Sequence, residues 1–273
     1  MPAPILITSR QNPRIVAARQ LAERKHRQQQ GRFLVEGVKL LDLALRAGAR
    51  PRVVFVCYQK LTPEAAGVLE HLQTAGAELL PVSPAVMEAL AEREAAEGLL
   101  ATFDLFEASP DELRFSGNDL VLVLDRLQDP GNLGTLIRTA DAVGAAGVVL
   151  LEPCADPFDP KVVRGSMGSI FHVPLLRASD VAAALAALHG RGLRIAGADA
   201  HRGVDWGDGL WSGPVALVLG NEARGLSPDV IPHVDAWVRL PIPGQAESLN
   251  VAVAGGVLMY TWLREKKCVT RNT

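Results

Sequence analysis

Three short apolar runs constrain the fold more than any other feature: residues 119–124 (DLVLVL), 148–151 (VVLL) and 215–219 (VALVL). A strand that is apolar at nearly every position has no face to give to water. It belongs inside a sheet covered on both sides, the setting of parallel strands joined by crossover helices. Helical spacing falls between and after these runs, over 132–143, 160–167, 181–189 and 248–264. Further strands are expected at 171–175, 193–198 and 236–240. The first hundred residues alternate in the same way. Asn12-Pro13 opens a helix running to about Gln30, a second follows Glu36-Gly37 and stops at Gly48, and Thr62-Pro63 and Ser83-Pro84 open two more. Strands are expected there at 53–58, 78–82 and 99–103. Both halves are therefore α/β, with a smaller domain over 1–105, a polar linker with Pro and Gly over 106–118, and a larger domain over 119–273.

Charge is divided unevenly between them. Residues 1–60 carry twelve Lys and Arg against three acids, whereas the remaining 213 residues carry 16 against 27. A basic lobe joined to an acidic one points to nucleic acid as the partner of the first, with a plain solvated basic face as the alternative. The candidate contacts are Arg10, Arg14, Arg24, Lys25 and Arg32. Cys57, Cys154 and Cys268 lack CxxC spacing and the six histidines show no HExxH pairing, so neither a disulfide framework nor a metal site is expected. The opening MPAPILITSR does not read as a signal peptide, and the longest apolar stretch, 249–263, is shorter than the roughly 20 residues that cross a bilayer. The expectation is a cytoplasmic, reduced protein without a membrane partner.

Three segments carry the chemistry. In 125–141 (DRLQDPGNLGTLIRTAD), Asn132 is read as a helix cap, Leu133, Leu136, Ile137 and Ala140 as the buried face, and Arg138 as lying off that face one turn after Gly134. Arg138 is then either a ligand-facing cation or half of a surface pair with Asp141. In 215–227 (VALVLGNEARGLS) a strand runs into Gly220-Asn221-Glu222, turns through Gly225 and reaches a helix start at Ser227-Pro228. Ligands of open α/β sheets sit beyond such strand ends, though a tight turn alone satisfies the same residues. In 239–260, Pro241 and Pro243 stiffen an extended loop, Glu247 or Ser248 caps the last helix, and that helix is apolar nearly all round. It is buried either within one chain or between the sheet and a second subunit.

Together the three segments resemble the motifs of the SpoU/TrmH branch of the SPOUT methyltransferases. Asn132, Gly134 and Arg138 match an Asn-x-Gly-x-x-x-Arg motif, residues 219–226 a Leu-Gly-Asn-Glu-x-x-Gly-Leu motif, and Pro241-Ile242-Pro243 with 247–251 the last motif. The N-terminal half resembles the family's ribosomal-protein-like substrate-binding domain through Ser9, Asn12-Pro13, GRFLVEG at 31–37 and residues 98–101. It departs from the family at Ala95-Ala96-Glu97-Gly98, where relatives often carry a Thr-Pro-Gln-Gly-like turn. The resemblance implies an α/β domain with a deep trefoil knot, and a homodimer through the C-terminal helix and knot. It also implies S-adenosylmethionine held largely by backbone groups of Leu219, Gly220, Leu240, Ile242 and Leu249. The implied reaction is methyl transfer to a ribose 2′-hydroxyl, in ribosomal RNA first and transfer RNA second. Arg138 would activate the hydroxyl, stabilise the developing oxyanion or grip a phosphate. Asn132, Glu222, Ser248 and Asn250 would orient it, the ribose and the loops, and Arg164 would contact RNA phosphate.

Three other readings explain less. A Rossmann-type nucleotide site would use Gly131, Gly134 and Glu152, but the G-x-G-x-x-G spacing is absent. A serine-hydrolase elbow at Gly165-Ser166-Met167-Gly168 fails because position 164 is Arg. A non-catalytic RNA-binding protein of the same fold would not need Asn132, Arg138, Glu222, Ser248 and Asn250 intact.

Overall fold

The computed structural model describes residues 5–91, 97–114 and 119–270. Ala95-Ala96 and linker positions 115–118 lie outside them. Contacts divide the chain into one unit of residues 1–106 with 158–171, and a second of 107–157 with 172–273.

The first unit contains α1 (Pro13–Gln20), α2 (Arg24–Gln30), β1 (Arg32–Glu36), α3 (Val38–Arg46), β2 (Pro51–Val56), α4 (Pro63–Thr74), β3 (Glu78–Pro81), α5 (Pro84–Leu90) and β4 (Leu99–Asp104). Its sheet runs β1-β4-β2-β3, with β4 antiparallel to both neighbours and β2 parallel to β3. Asn12, Thr62 and Ser83 cap their helices, each followed by Pro, as their side chains predict. The helix expected from Asn12 to Gln30 is instead two. Arg27 folds back and donates to the carbonyls of Leu21 and Ala22, both at 2.8 Å, so its buried guanidinium terminates α1 rather than facing a polyanion. Residues 158–171 join this unit through aromatic packing: Phe158 lies 4.8 Å and Phe171 6.0 Å from Phe33, ring centre to ring centre.

The second unit opens with β5 (Leu120–Asp125), α6 (Pro130–Val143) and β6 (Gly147–Leu151). Then α7 (Pro160–Gly165) leaves for the first unit, and β7 (Leu175–Ala178), α8 (Val181–Gly190), β8 (Arg194–Ala198), β9 (Val204–Asp205), β10 (Val215–Leu219), β11 (Ala236–Arg239) and α9 (Val251–Thr270) follow. The sheet order is β7-β6-β5-β10-β8-β11-β9, every pair parallel. Each residue of β5, β6 and β10 is buried, as continuous apolar runs require.

Several local expectations are corrected. The strand expected at 171–175 forms at Leu175–Ala178, and only one 3-10 turn, Ile231–His233, follows Ser227-Pro228. The expected linker is not free over 107–114. Leu113 is buried, the Arg191 guanidinium holds the carbonyls of Pro110 and Leu113, and Ala108 N–H bonds to Leu175. One apolar residue in a polar stretch gave no period to read. The last helix is not buried all round within a single chain. Leu258, Met259 and Trp262 are buried, but Val253, Val257 and Tyr260 stand 54%, 36% and 53% exposed along one stripe. No helix of the described residues is long and apolar enough to cross a membrane.

Cys57 and Cys154 are buried thiols that form no disulfide among the described residues. Burial pushes the Cys154 thiol up to about 11, and its S–H faces the carbonyls of Leu124 and Leu151. At pH 8 only about a thousandth of such a thiol is thiolate. Mass spectrometry after native iodoacetamide treatment should find both residues unmodified, and both alkylated after denaturation.

Candidate active site

Parallel strands end on one edge of a sheet, so β5, β8, β10 and β11 deliver their following loops to the same place. A pocket of about 390 Å³ opens there. Leu219, Gly220, Leu240, Ile242 and Leu249 all line it, as does Ser248.

The loop after β10 is closely fitted. Asn221 and Gly225 exchange backbone hydrogen bonds at 3.0 and 2.9 Å, with Gly225 at φ +67°. The Asn221 amide accepts from the N–H groups of Ala223 and Arg224 and donates to the Arg126 carbonyl at 3.0 Å. Gly220 lies against this turn so tightly that a Cβ there would meet the Gly225 carbonyl carbon at 2.2 Å. Beyond the turn, buried Asp125 accepts from both the N–H and the hydroxyl of Ser227, at 2.6 and 3.1 Å. The loop is thus pinned at both ends.

A chain of amides ties the three segments together. Asn250, rather than Glu247 or Ser248, caps α9: its Oδ1 accepts from the N–H groups of Ala252 and Val253 at 2.9 and 3.2 Å. That leaves its Nδ2 to donate to Asn132 Oδ1 at 3.0 Å. The Asn132 Nδ2 then needs an acceptor and finds Glu222 Oε1 at 3.1 Å, which also accepts from Asp129 N–H at 3.3 Å. Asn132 is free for this because the cap of α6 is Asp129, accepting from Asn132 N–H at 2.8 Å, with Pro130 first in the helix. Each donor direction follows from the one before it, so the network admits one register for the loops.

Of the predicted catalytic residues, Glu222 and Ser248 line this pocket and Asn132 and Asn250 are tied to it through Glu222, but Arg138 is neither in its lining nor in that network. It is exposed on α6, roughly 9 Å along the helix from Asn132, and makes no hydrogen bond or ion pair among the described residues. The surface pair with Asp141 is not formed, since Asp141 faces His172 at 3.3 Å. In the first unit, Arg14 is clamped by Glu78, Arg10 donates to the Ala85 carbonyl, and Arg32 lies 3.9 Å from Asp104. Lys25 is exposed, while Arg24 and Arg164 are half-buried, Arg164 on α7. Glu152 is not placed to hold a ribose: its carboxylate takes Arg177 at 2.7 Å and Cys154 N–H at 2.9 Å.

Sequence reasoning missed the residues after β8. Asp199 and His201 line the pocket, and Arg239, tied to Asp205, flanks them. The rule that ligands sit beyond strand ends applies equally to Ala198 and would have found them.

Residues 119–260 match the sequence model of the SpoU rRNA Methylase family, and 12–101 that of an MRM3-like substrate binding domain. The chain belongs to the SpoU rRNA methylase family. This bears out the resemblance carried by the three motifs, all of which fall within the matched region. Among its relatives is the 23S rRNA (guanosine(2553)-2′-O)-methyltransferase RlmP of Bacillus subtilis, 33% identical over 93% of this chain and 97% of that protein. Another is the 23S rRNA (uridine(2479)-2′-O)-methyltransferase of Streptomyces viridochromogenes, 33% identical over 90% and 87%. The AdoMet-bound rRNA methyltransferase of Sinorhizobium meliloti superposes with a TM-score of 0.86 at 30% identity, covering 96% of this chain and 98% of that one. These likenesses span both units of this member of the family.

Proposed function

We propose that the chain transfers a methyl group from S-adenosylmethionine to a ribose 2′-hydroxyl of ribosomal RNA, working as a homodimer in the cytoplasm. The observation that carries this is the convergence of the loops after β10 and β11 on one pocket, locked to α6 through Asn132, Glu222 and Asn250. The pocket suits the donor. Leu219, Leu240, Ile242 and Leu258 give it an apolar wall for a heterocycle. Between Leu240 and Leu249 no backbone N–H finds a backbone acceptor among the described residues, leaving donors and acceptors for its polar edge. Bound S-adenosylmethionine supplies an electrophilic methyl on a cationic sulfur. The two 23S relatives are named for a guanosine and a uridine. What they share is the ribose, so the common site reads the sugar and not the base.

The protein's own part is to hold the 2′-oxygen in line and to stabilise the negative charge that builds as the hydroxyl gives its proton to solvent. Arg138 fits the second task, because a guanidinium donates hydrogen bonds and does not surrender its proton. It does not line the pocket of its own chain, but α6, which carries it, packs against α9 through Thr139 and Leu136 at Gly256 and Gly255. The bare stripe of Val253, Val257 and Tyr260 on α9 is the surface a second copy would cover, and Arg138 would then act on the partner's site. Val257→Glu should turn the dimer into a monomer in sedimentation at micromolar concentration, since it buries an unpaired charge at the interface. A parent chain that sediments as a monomer would remove the dimer from the account. Methyl transfer from labelled S-adenosylmethionine to unmodified ribosomal RNA, with transfer RNA alongside, tests the substrate: incorporation into transfer RNA alone would overturn the ribosomal reading.

A further inference from the structure

A second recess, of about 290 Å³, lies on the face of the first unit's sheet beside α1, within the region matched to a substrate binding domain. Leu21, Val53 and Phe55 give it an apolar wall, Arg14 and Arg32 line it, and no acid does. Thr102 on β4, opposite Leu34 and Val53 in the ladder, also lines it. It is 4% exposed, and its hydroxyl has no hydrogen-bond partner among the described residues. An unpaired buried hydroxyl is destabilising, and valine would fill the same space without that cost. Gln30 also lines the recess. One N–H of its Nε2 goes to the Ala17 carbonyl at 3.0 Å, and its Oε1 is left as an acceptor. Glu78 holds the Arg14 guanidinium through both of its terminal nitrogens, which fixes a flat cation beside the recess.

We infer that this recess receives one unpaired nucleobase of the RNA, at a position separate from the methylated nucleotide. Four features point to a base rather than to phosphate alone. The volume, near the lower end of ligand pockets at ~300 Å³, holds one heterocycle. The wall is apolar, the clamped guanidinium offers a stacking plane, and the unpaired Thr102 hydroxyl and Gln30 Oε1 suit an edge that both donates and accepts. This inference rests on the reading of the chain as an RNA methyltransferase and adds where the substrate is held.

Thr102→Val and Ala17→Phe, in the full chain, test it by filter binding to an unmodified 23S ribosomal RNA transcript, with S-adenosylmethionine affinity and melting measured in parallel. Thr102→Val should melt no lower than the parent yet bind the RNA about five- to tenfold more weakly, the loss of one base hydrogen bond. Ala17→Phe, which fills the recess, should lose more than about tenfold. Both should keep cofactor affinity and the parent's slope of affinity against salt, because no phosphate contact is removed. Parent-like RNA affinity in both variants overturns the inference, and so does weakening with a flattened salt slope, which would mean phosphate contact alone. A parent that binds S-adenosylmethionine but not the transcript would overturn the RNA reading itself, an outcome distinct from either.

Discussion

Arg138→Ala should lower kcat for methyl transfer by at least about 100-fold, while S-adenosylmethionine affinity stays within a few-fold of the parent. The magnitude is that of removing one donor aimed at a developing oxyanion. Cofactor affinity is spared because Arg138 does not line the pocket, and folding is spared because the side chain is exposed and unpartnered among the described residues. Single-turnover kinetics and isothermal titration of the same preparation read the two quantities separately. Full activity in the variant would remove Arg138 from the reaction. The dimer adds a sharper expectation. Mixing Arg138→Ala with a variant that cannot bind cofactor should restore activity, since a mixed dimer holds one intact pocket facing one intact arginine. Absence of rescue in a sample shown to contain mixed dimers would place the arginine and pocket in the same chain.

Gly220→Ala supplies that second partner and carries the other large effect. A methyl group at 220 would sit 2.2 Å from the Gly225 carbonyl carbon and 2.4 Å from its oxygen and from Leu226 N, all backbone atoms that cannot rotate aside. The turn must open, and the exchange of hydrogen bonds between Asn221 and Gly225 goes with it. We expect cofactor affinity to fall at least about 100-fold, with melting lowered by several degrees, because overpacking against backbone costs on the order of 1–3 kcal/mol or more. Parent-like affinity measured by titration would show that this loop does not shape the pocket.

Much of this was legible because the chemistry repeats a local pattern. Continuous apolar runs at 119–124, 148–151 and 215–219 leave few alternatives to a covered parallel sheet, and all three strands are buried throughout. The motif residues Asn132, Glu222 and Asn250 were legible as a set but not in their roles. A helix cap is chosen by competition among neighbouring acceptors, and Asp129 with Pro130 displaces Asn132, just as Asn250 displaces Ser248. At α6 the displaced Asn132 is left to reach across the sheet edge, whereas at α9 the cap itself, Asn250, does so with its amide nitrogen. Arg27 shows the converse: a cation in a basic run reads as a surface charge, yet two carbonyls left open at a helix end hold it inside. The return of 158–171 to the first unit was invisible for another reason. It depends on Phe33, Phe103, Phe106, Phe158 and Phe171 meeting in space, and nothing in their sequence separation announces that.

The most direct test of the central claim is where the methyl lands. Unmodified 23S ribosomal RNA treated with the protein and S-adenosylmethionine can be digested to nucleosides and analysed by mass spectrometry. The account predicts a single 2′-O-methylated nucleoside, present with the parent and missing with Arg138→Ala. A methyl group on a base, or equal ribose methylation by both proteins, would contradict it.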